Sequence, residues 1–218
     1  SYQLIDMTKD HAAGSLPISV NALSLRRGHG GGRHHGLRRT AQGRPFFLSF
    51  LYAVVRAANA IPQLRRRIRQ RRVVEYDWCP PSYTAMNATG DVYCTVEGDL
   101  SYEAFVTLGQ RRQREVLERG TLTEDGDALS FFFVQLPWLH YSQLEHPAVS
   151  ADDSNPRISW GKAVTKHGRT TLPVSLFVNH ALADGLHISQ FFAGLERELQ
   201  TLADSVAGRG VTASSHRG

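Results

Sequence analysis

Residues 172–187 read LPVSLFVNHALADGLH. The run from Val174 to Val178 is apolar apart from Ser175 and carries no charge, which is the composition of a buried strand. What ends it is less ordinary. Asn179 and His180 follow at once, Asp184 stands four residues after the histidine, and Gly185-Leu186-His187 opens an amphipathic stretch expected as a helix over 186–203. A histidine at the end of an apolar strand can be core packing, with the aspartate as an N-cap. It can also be a general base, because a neutral imidazole with one free nitrogen and a fixed tautomer takes up a proton near neutral pH. Gly185 is expected to permit a backbone geometry that other residues resist.

Working outward, 157–180 reads as a hairpin with Lys166-His167-Gly168 at its turn, and 129–141 as a nearly all-apolar β-rich stretch. Helical periodicity marks 44–64, stopped by Pro62. It also marks 101–120, where Tyr102, Phe105, Leu108, Val116 and Leu117 share a side and Gly120 suits a C-cap. Strands are expected over 73–78 and 82–89, separated by Cys79-Pro80-Pro81. The order predicts an α+β fold, one large sheet packed by helices on one side, as a single domain over 1–204 with a polar tail over 205–218.

Residues 12–43 do not fit that order. The Arg-, Gly- and His-rich text of 26–39 offers too little apolar surface to fold as a strand or helix and reads as a flexible insertion or locally altered text. His29, His34 and His35 lack Cys or carboxylate partners, so no metal is expected.

The chain has 218 residues, enough for a substantial core, with 41% hydrophobic and 21% charged residues. No stretch approaches the roughly 18 uncharged apolar residues of a membrane helix. The first residues, SYQLIDMTKDH, contain no signal-peptide core, and two cysteines make no disulfide framework. A cytoplasmic protein without a membrane partner is expected. The net charge of +5 comes from basic blocks at 26–39 and 65–72. The second block, RRRIRQRR, reads as a solvated face, and with no recognition module beside it nucleic acid is not an expected partner.

The wording Asn179-His180-Ala181-Leu182-Ala183-Asp184-Gly185-Leu186-His187 resembles the signature of the chloramphenicol acetyltransferase family, His-His-Ala-x-x-Asp-Gly-Phe-His. Dihydrolipoyl acyltransferase cores carry a related His-x-x-x-Asp-Gly without the trailing His. The resemblance covers roughly residues 44–203, through PPSYTAM (80–86), FFFVQLPW (131–138) and SWGKAV (159–164). It implies a chloramphenicol acetyltransferase-like fold, a large mixed β-sheet flanked by helices, and a CoA-dependent acyltransferase. The co-substrate would be acetyl-CoA and the acceptor a hydroxyl of chloramphenicol or a similar small molecule. Transfer would be direct, in a homotrimer with each site between subunits.

By the same resemblance His180 is the general base, and Asp184 is a structural carboxylate supporting the active-site loop through an arginine. Ser159 replaces a threonine that holds a water near the oxyanion. Trp138 and Lys162 line the CoA site, an indole to pack on it and an ammonium to meet a phosphate. Met86, with Tyr83-Thr84 ahead of it, shapes the acceptor pocket. The chain also departs from the pattern. Val134 stands where the family has an oxyanion-donating serine, with Gln135 adjacent. Thr8 stands at the arginine position, Asn179 at the first histidine, and the acceptor-pocket aromatics fall in 12–43. A family member weakened in catalysis, acting through binding or assembly, is the alternative reading.

Overall fold

A computed structural model describes residues 2–5, 17–21, 24–25, 46–87, 90–119, 131–148, 150, 152–166 and 169–212. The apolar run quoted above is a strand, β12 (Val174–Asn179), and all six of its residues are buried. A strand reads as continuously apolar rather than alternating when both its faces are covered, and β12 lies inside a sheet. Its neighbours are β2 (Pro17–Asn21) and β9 (Arg157–Trp160), both antiparallel to it. Beyond β9 come β8 (Phe131–Gln135), β6 (Pro81–Asn87) and β7 (Gly90–Thr95), giving the order β2-β12-β9-β8-β6-β7. The β6–β8 and β8–β9 pairs are parallel, so the sheet is mixed, as expected.

Three helices, α1 (Phe46–Asn59), α2 (Tyr102–Arg119) and α3 (Gly185–Thr212), cover one face. Phe131, Phe133, Ile158, Trp160, Val174, Leu176 and Val178 share a single core with them. The central helix α1 touches both others and is buried at ten of its fourteen positions, as a helix apolar on nearly all sides must be. Its end is fixed by Asn59. The Asn59 side-chain amide donates to the carbonyls of Val55 and Cys79, each at 3.0 Å, and its oxygen accepts the Cys79 N–H at 2.8 Å. Pro62 then opens a 3-10 turn (Pro62–Arg65), so the sequence stop signal is obeyed. The last helix runs beyond the expected 186–203, to Thr212.

Two smaller sheets complete the described chain. β1 (Tyr2–Ile5) pairs with β5 (Arg72–Tyr76), which pairs with β4 (Arg66–Arg69). β3 (Ser24–Leu25), β10 (Val164–Lys166) and β11 (Arg169–Thr171) form the other. Residues 17–21 and 24–25 therefore correct part of the expected insertion. Their pairing with β12 and β11 holds them in strands, a long-range effect that local composition does not carry. The rest of 26–43, and the expected turn at His167-Gly168, lie outside the described residues.

The basic block at 65–72 is also corrected. It is strand β4 with a hairpin turn at Gln70 and Arg71, both at positive φ (48° and 62°). Arg67 is fully buried, its Nη1 donating to the carbonyls of Leu64 at 2.8 Å and Arg66 at 2.7 Å, with the guanidinium over the Phe131 ring at 5.4 Å. Strand alternation sends every second residue inward whatever its charge. Removing the side chain leaves a cavity and strips one buried and one part-buried carbonyl of this donor. Arg67→Ala is expected to lower unfolding free energy by about 2–4 kcal/mol, read by urea denaturation.

Candidate active site

The turn after β12 is tightly bonded. Asn179 is buried, and its carbonyl accepts the N–H groups of Leu182 (3.0 Å) and Ala183 (3.1 Å). Its side-chain oxygen accepts the Ala181 N–H at 3.0 Å, and its amide donates to the Asp153 carbonyl at 3.0 Å. An asparagine at the place of a first histidine thus serves to fix the turn. His180 sits at the apex of that turn with its ring exposed. Its Nδ1 is 3.4 Å from the Ala183 carbonyl. A carbonyl can only accept, so this long contact favours the proton on Nδ1 and leaves the Nε2 lone pair free.

Asp184 caps α3. One carboxylate oxygen accepts the Leu186 N–H at 3.0 Å and the His187 N–H at 3.3 Å, and lies 2.7 Å from His187 Nδ1. That Nδ1 is also 3.1 Å from the Asp184 N–H. Unprotonated, it accepts that N–H in a reciprocal cap; protonated, it donates to the carboxylate. Burial alone would raise the Asp184 carboxyl, but the His187 N–H, the His187 ring and the Leu186 N–H together hold it below the ordinary carboxylate range. The carboxylate is half-exposed and satisfied by its own helix, so the cost of an unpaired buried charge does not arise. Thr8, at the position of an arginine partner, lies outside the described residues.

Asp184→Ala is expected to cost about 1 kcal/mol of stability. With the folded pKa depressed, the Asp184 contribution is fully present above the ordinary carboxylate range and fades as pH falls toward the folded value. Thermal melts of both proteins should therefore converge in acid. Gly185 has open space at its Cβ and no positive φ, so the expected special backbone geometry is not found there.

The opposite, helix-free face carries a second set of groups. Ser175 pairs with Ser159, Ser159 with Val134, and one step past the Tyr83–Phe133 pair Thr84 comes level with Val134. Adjacent strands lie about 4.8 Å apart, so Thr84, Val134, Ser159 and Ser175 form a row across four strands with side chains on one face. Two residues from the segment after β8 reach over the Ser159–Ser175 end of this row. Tyr141 Oη is 3.4 Å from Ser175 Oγ, and His146 Nε2 is 2.5 Å from Ser159 Oγ. A cavity of about 490 Å³ lies where the helix-covered side meets the ends of β6 and β8, lined by Phe47 of α1 and Gln113 of α2 together with Tyr83, Thr84, Val134 and Trp138 among others. The Met86 backbone lies on β6; its side chain lies outside the described residues.

Trp138 is 70% exposed, and Leu139 56%, so the indole is not a core residue. Lys162 is exposed next to them. The two segments are laced together: the Leu136 N–H donates to the Trp160 carbonyl at 2.9 Å, the Lys162 N–H to the Leu139 carbonyl at 2.5 Å, and His140 Nδ1 lies 2.8 Å from the Lys162 carbonyl. Gly161 makes this passage possible, since a Cβ there would collide with the Leu139 carbonyl, Pro173 and the Tyr141 ring. Gly161→Ala is expected to cost about 1–3 kcal/mol, the usual effect of overpacking, seen as a lowered Tm.

The family described as chloramphenicol acetyltransferase matches residues 37–196, most of the chain and the whole of the turn and row just described. The chain belongs to the chloramphenicol acetyltransferase family. Chloramphenicol acetyltransferase 2 of Escherichia coli is 26% identical over 174 residues, spanning 75% of this chain and 78% of that protein. A chloramphenicol acetyltransferase of Staphylococcus aureus is 24% identical over 162 residues, 69% and 73% of the two chains. A solved chloramphenicol acetyltransferase structure superposes with a TM-score of 0.74 at 26% identity, covering 91% of this chain and all of that one. A probable dihydrolipoamide acetyltransferase from Listeria monocytogenes shares the fold at a TM-score of 0.61 and 12% identity, with 86% and 85% covered. The fold is thus that of the family's CoA-dependent acyltransferases, and the relatives support acyltransferase chemistry.

Within this family frame the structure brings Trp138 to Lys162, and Thr84 to Val134 and Ser159. It does not bring His180 to that row in one chain. His180 lies five residues past Ser175, the partner of Ser159, which is roughly 16 Å along an extended strand. The sequence reading missed His146 and Tyr141, because loop residues that land on a sheet by tertiary contact leave no local spacing signal. Among the described residues no group of three or more His, Cys, Asp or Glu could hold a metal ion, and no helix is long and apolar enough to cross a membrane.

Proposed function

We propose that the chain moves an acetyl group from acetyl-CoA to a hydroxyl of a small molecule, with chloramphenicol the first acceptor to test and His180 as general base. The observation that carries this is the His180 ring, exposed at the end of the core strand with Nδ1 turned to the Ala183 carbonyl and Nε2 free. Nε2 takes the acceptor hydroxyl proton as the oxygen bonds to the thioester carbonyl carbon. The resulting tetrahedral oxyanion collapses, the C–S bond breaks, and the leaving CoA sulfur takes the proton back from the imidazolium. Ser159 is the polar group of the row that would hold a water beside the oxyanion. Trp138 and Lys162 receive CoA, the indole on an apolar or flat part and the ammonium on a phosphate.

The distance of His180 from the Val134–Ser159 row supports a site completed by a neighbouring copy, His180 of one subunit over the row of another, in a homotrimer. Exposed Leu139 and Leu186 are apolar side chains such an assembly would cover. Val134 favours a second reading, a weakened member acting through binding or assembly, because it offers no donor in the middle of the row. Thiol release from acetyl-CoA with chloramphenicol and a panel of hydroxyl acceptors tests the function. Turnover by the protein and its loss in His180→Ala support transfer; no turnover by a protein that still assembles and binds CoA gives the second reading the lead. A shared site further predicts that co-assembled His180→Ala and Ser159→Trp subunits regain part of the activity each lacks alone, measured by the same thiol release.

A further inference from the structure

Ser159 is fully buried, and His146 Nε2 is its one hydrogen-bond partner among the described residues. A buried hydroxyl proton without an acceptor costs about 1–3 kcal/mol. Among the described residues Nε2 is the one acceptor offered to the Ser159 O–H; with that bond made, Nε2 is unprotonated and the His146 proton sits on Nδ1. The ring is held edge-on to Phe177, centroids 6.2 Å apart at 74°. Arg157 also lies over Phe177, at 5.0 Å, paired with Asp153 at 2.6 Å. Burial first, and the nearby Arg157 charge second, push the His146 pKa below its ordinary value and keep the ring neutral.

We propose that His146 is a positioning residue for the transfer, acting through Ser159. With its proton committed to His146, Ser159 presents only lone pairs to the row beside Val134. It can then accept one hydrogen of a water, and that water's other hydrogen is directed outward, toward the oxygen that becomes negative when the thioester carbonyl is attacked. His146 thus sets the direction of a donor in the part of the row where Val134 supplies none. The inference rests on the acetyl-transfer reading given above.

Two measurements on the full chain test it. In ¹⁵N-labelled protein, two-bond ¹H–¹⁵N spectra report which ring nitrogen of His146 is protonated; the signal is assigned by its loss in His146→Gln. The expected result is the Nδ1–H tautomer in the wild type and a shift toward Nε2–H in Ser159→Ala. In acetyl transfer, His146→Leu is expected to lower kcat on the order of 10–100-fold, as outer-shell partners do, with KM for acetyl-CoA within about twofold. His146→Gln, whose amide oxygen can accept the serine proton, recovers most of that rate. The double variant His146→Leu/Ser159→Ala is no slower than the worse single variant. An Nε2–H tautomer in the wild type, equal rates for the Leu and Gln variants, or losses that multiply would overturn the role. Wild-type protein that turns over no acceptor overturns the transfer reading and this role with it. Wild-type turnover with His146→Leu at full rate overturns this role alone.

Discussion

His180→Ala is expected to lower kcat for acetyl transfer by on the order of 10²–10⁴, the usual contribution of a positioned general base. Stability should hardly change. The side chain is exposed and makes one long contact to the Ala183 carbonyl, while the turn itself is held by Asn179. KM for acetyl-CoA should stay near the wild-type value, since Trp138 and Lys162, the residues proposed to receive CoA, lie on a different part of the chain. The wild type and the variant are compared by thiol release at saturating acetyl-CoA, with urea denaturation run in parallel. A variant that keeps full activity removes His180 as the base. A variant that loses activity and stability together returns the histidine to a packing role.

Val134→Ser is expected to raise kcat by on the order of 10-fold to 100-fold, less than the 10²–10³ that removal of a preorganised oxyanion donor costs. Val134 is half-buried, lines the cavity, and is flanked in register by Thr84 and Ser159. A serine hydroxyl there would complete an unbroken polar row. The substitution gives up part of one apolar side chain, about 1 kcal/mol of stability, which a core of this size tolerates. Single-turnover rates separate chemistry from CoA release and check the gain. An unchanged or slower chemical step means that the oxyanion does not form beside Val134, and that Thr84 and Ser159 serve another purpose.

The contrast between these residues shows what was legible. β12 and α3 were readable because an uncharged apolar run and a capped amphipathic stretch are local patterns. The Asp184 cap was one of two stated options, and the carboxylate's contacts to Leu186 and His187 bear it out. The stop of α1 before Pro62 followed from the missing N–H of proline. Arg67 was misread because a run of charges looks solvated, whereas strand alternation placed one of them over Phe131. The exposure of Trp138, 70%, is set by packing and is not carried by its local sequence.

By itself the sequence determined the three helices, the core strand β12, the signature turn around His180 and the family they belong to, since each depends on residues close together in the chain. The tertiary structure decided the rest. Thr84, Val134, Ser159 and Ser175 share a row only because strand register aligns segments far apart in sequence. His146 reaches Ser159 only because a long loop folds back across the sheet. Register and loop path are fixed by burial of the whole core and not by any local stretch, so a site assembled from them becomes visible only once the chain is folded.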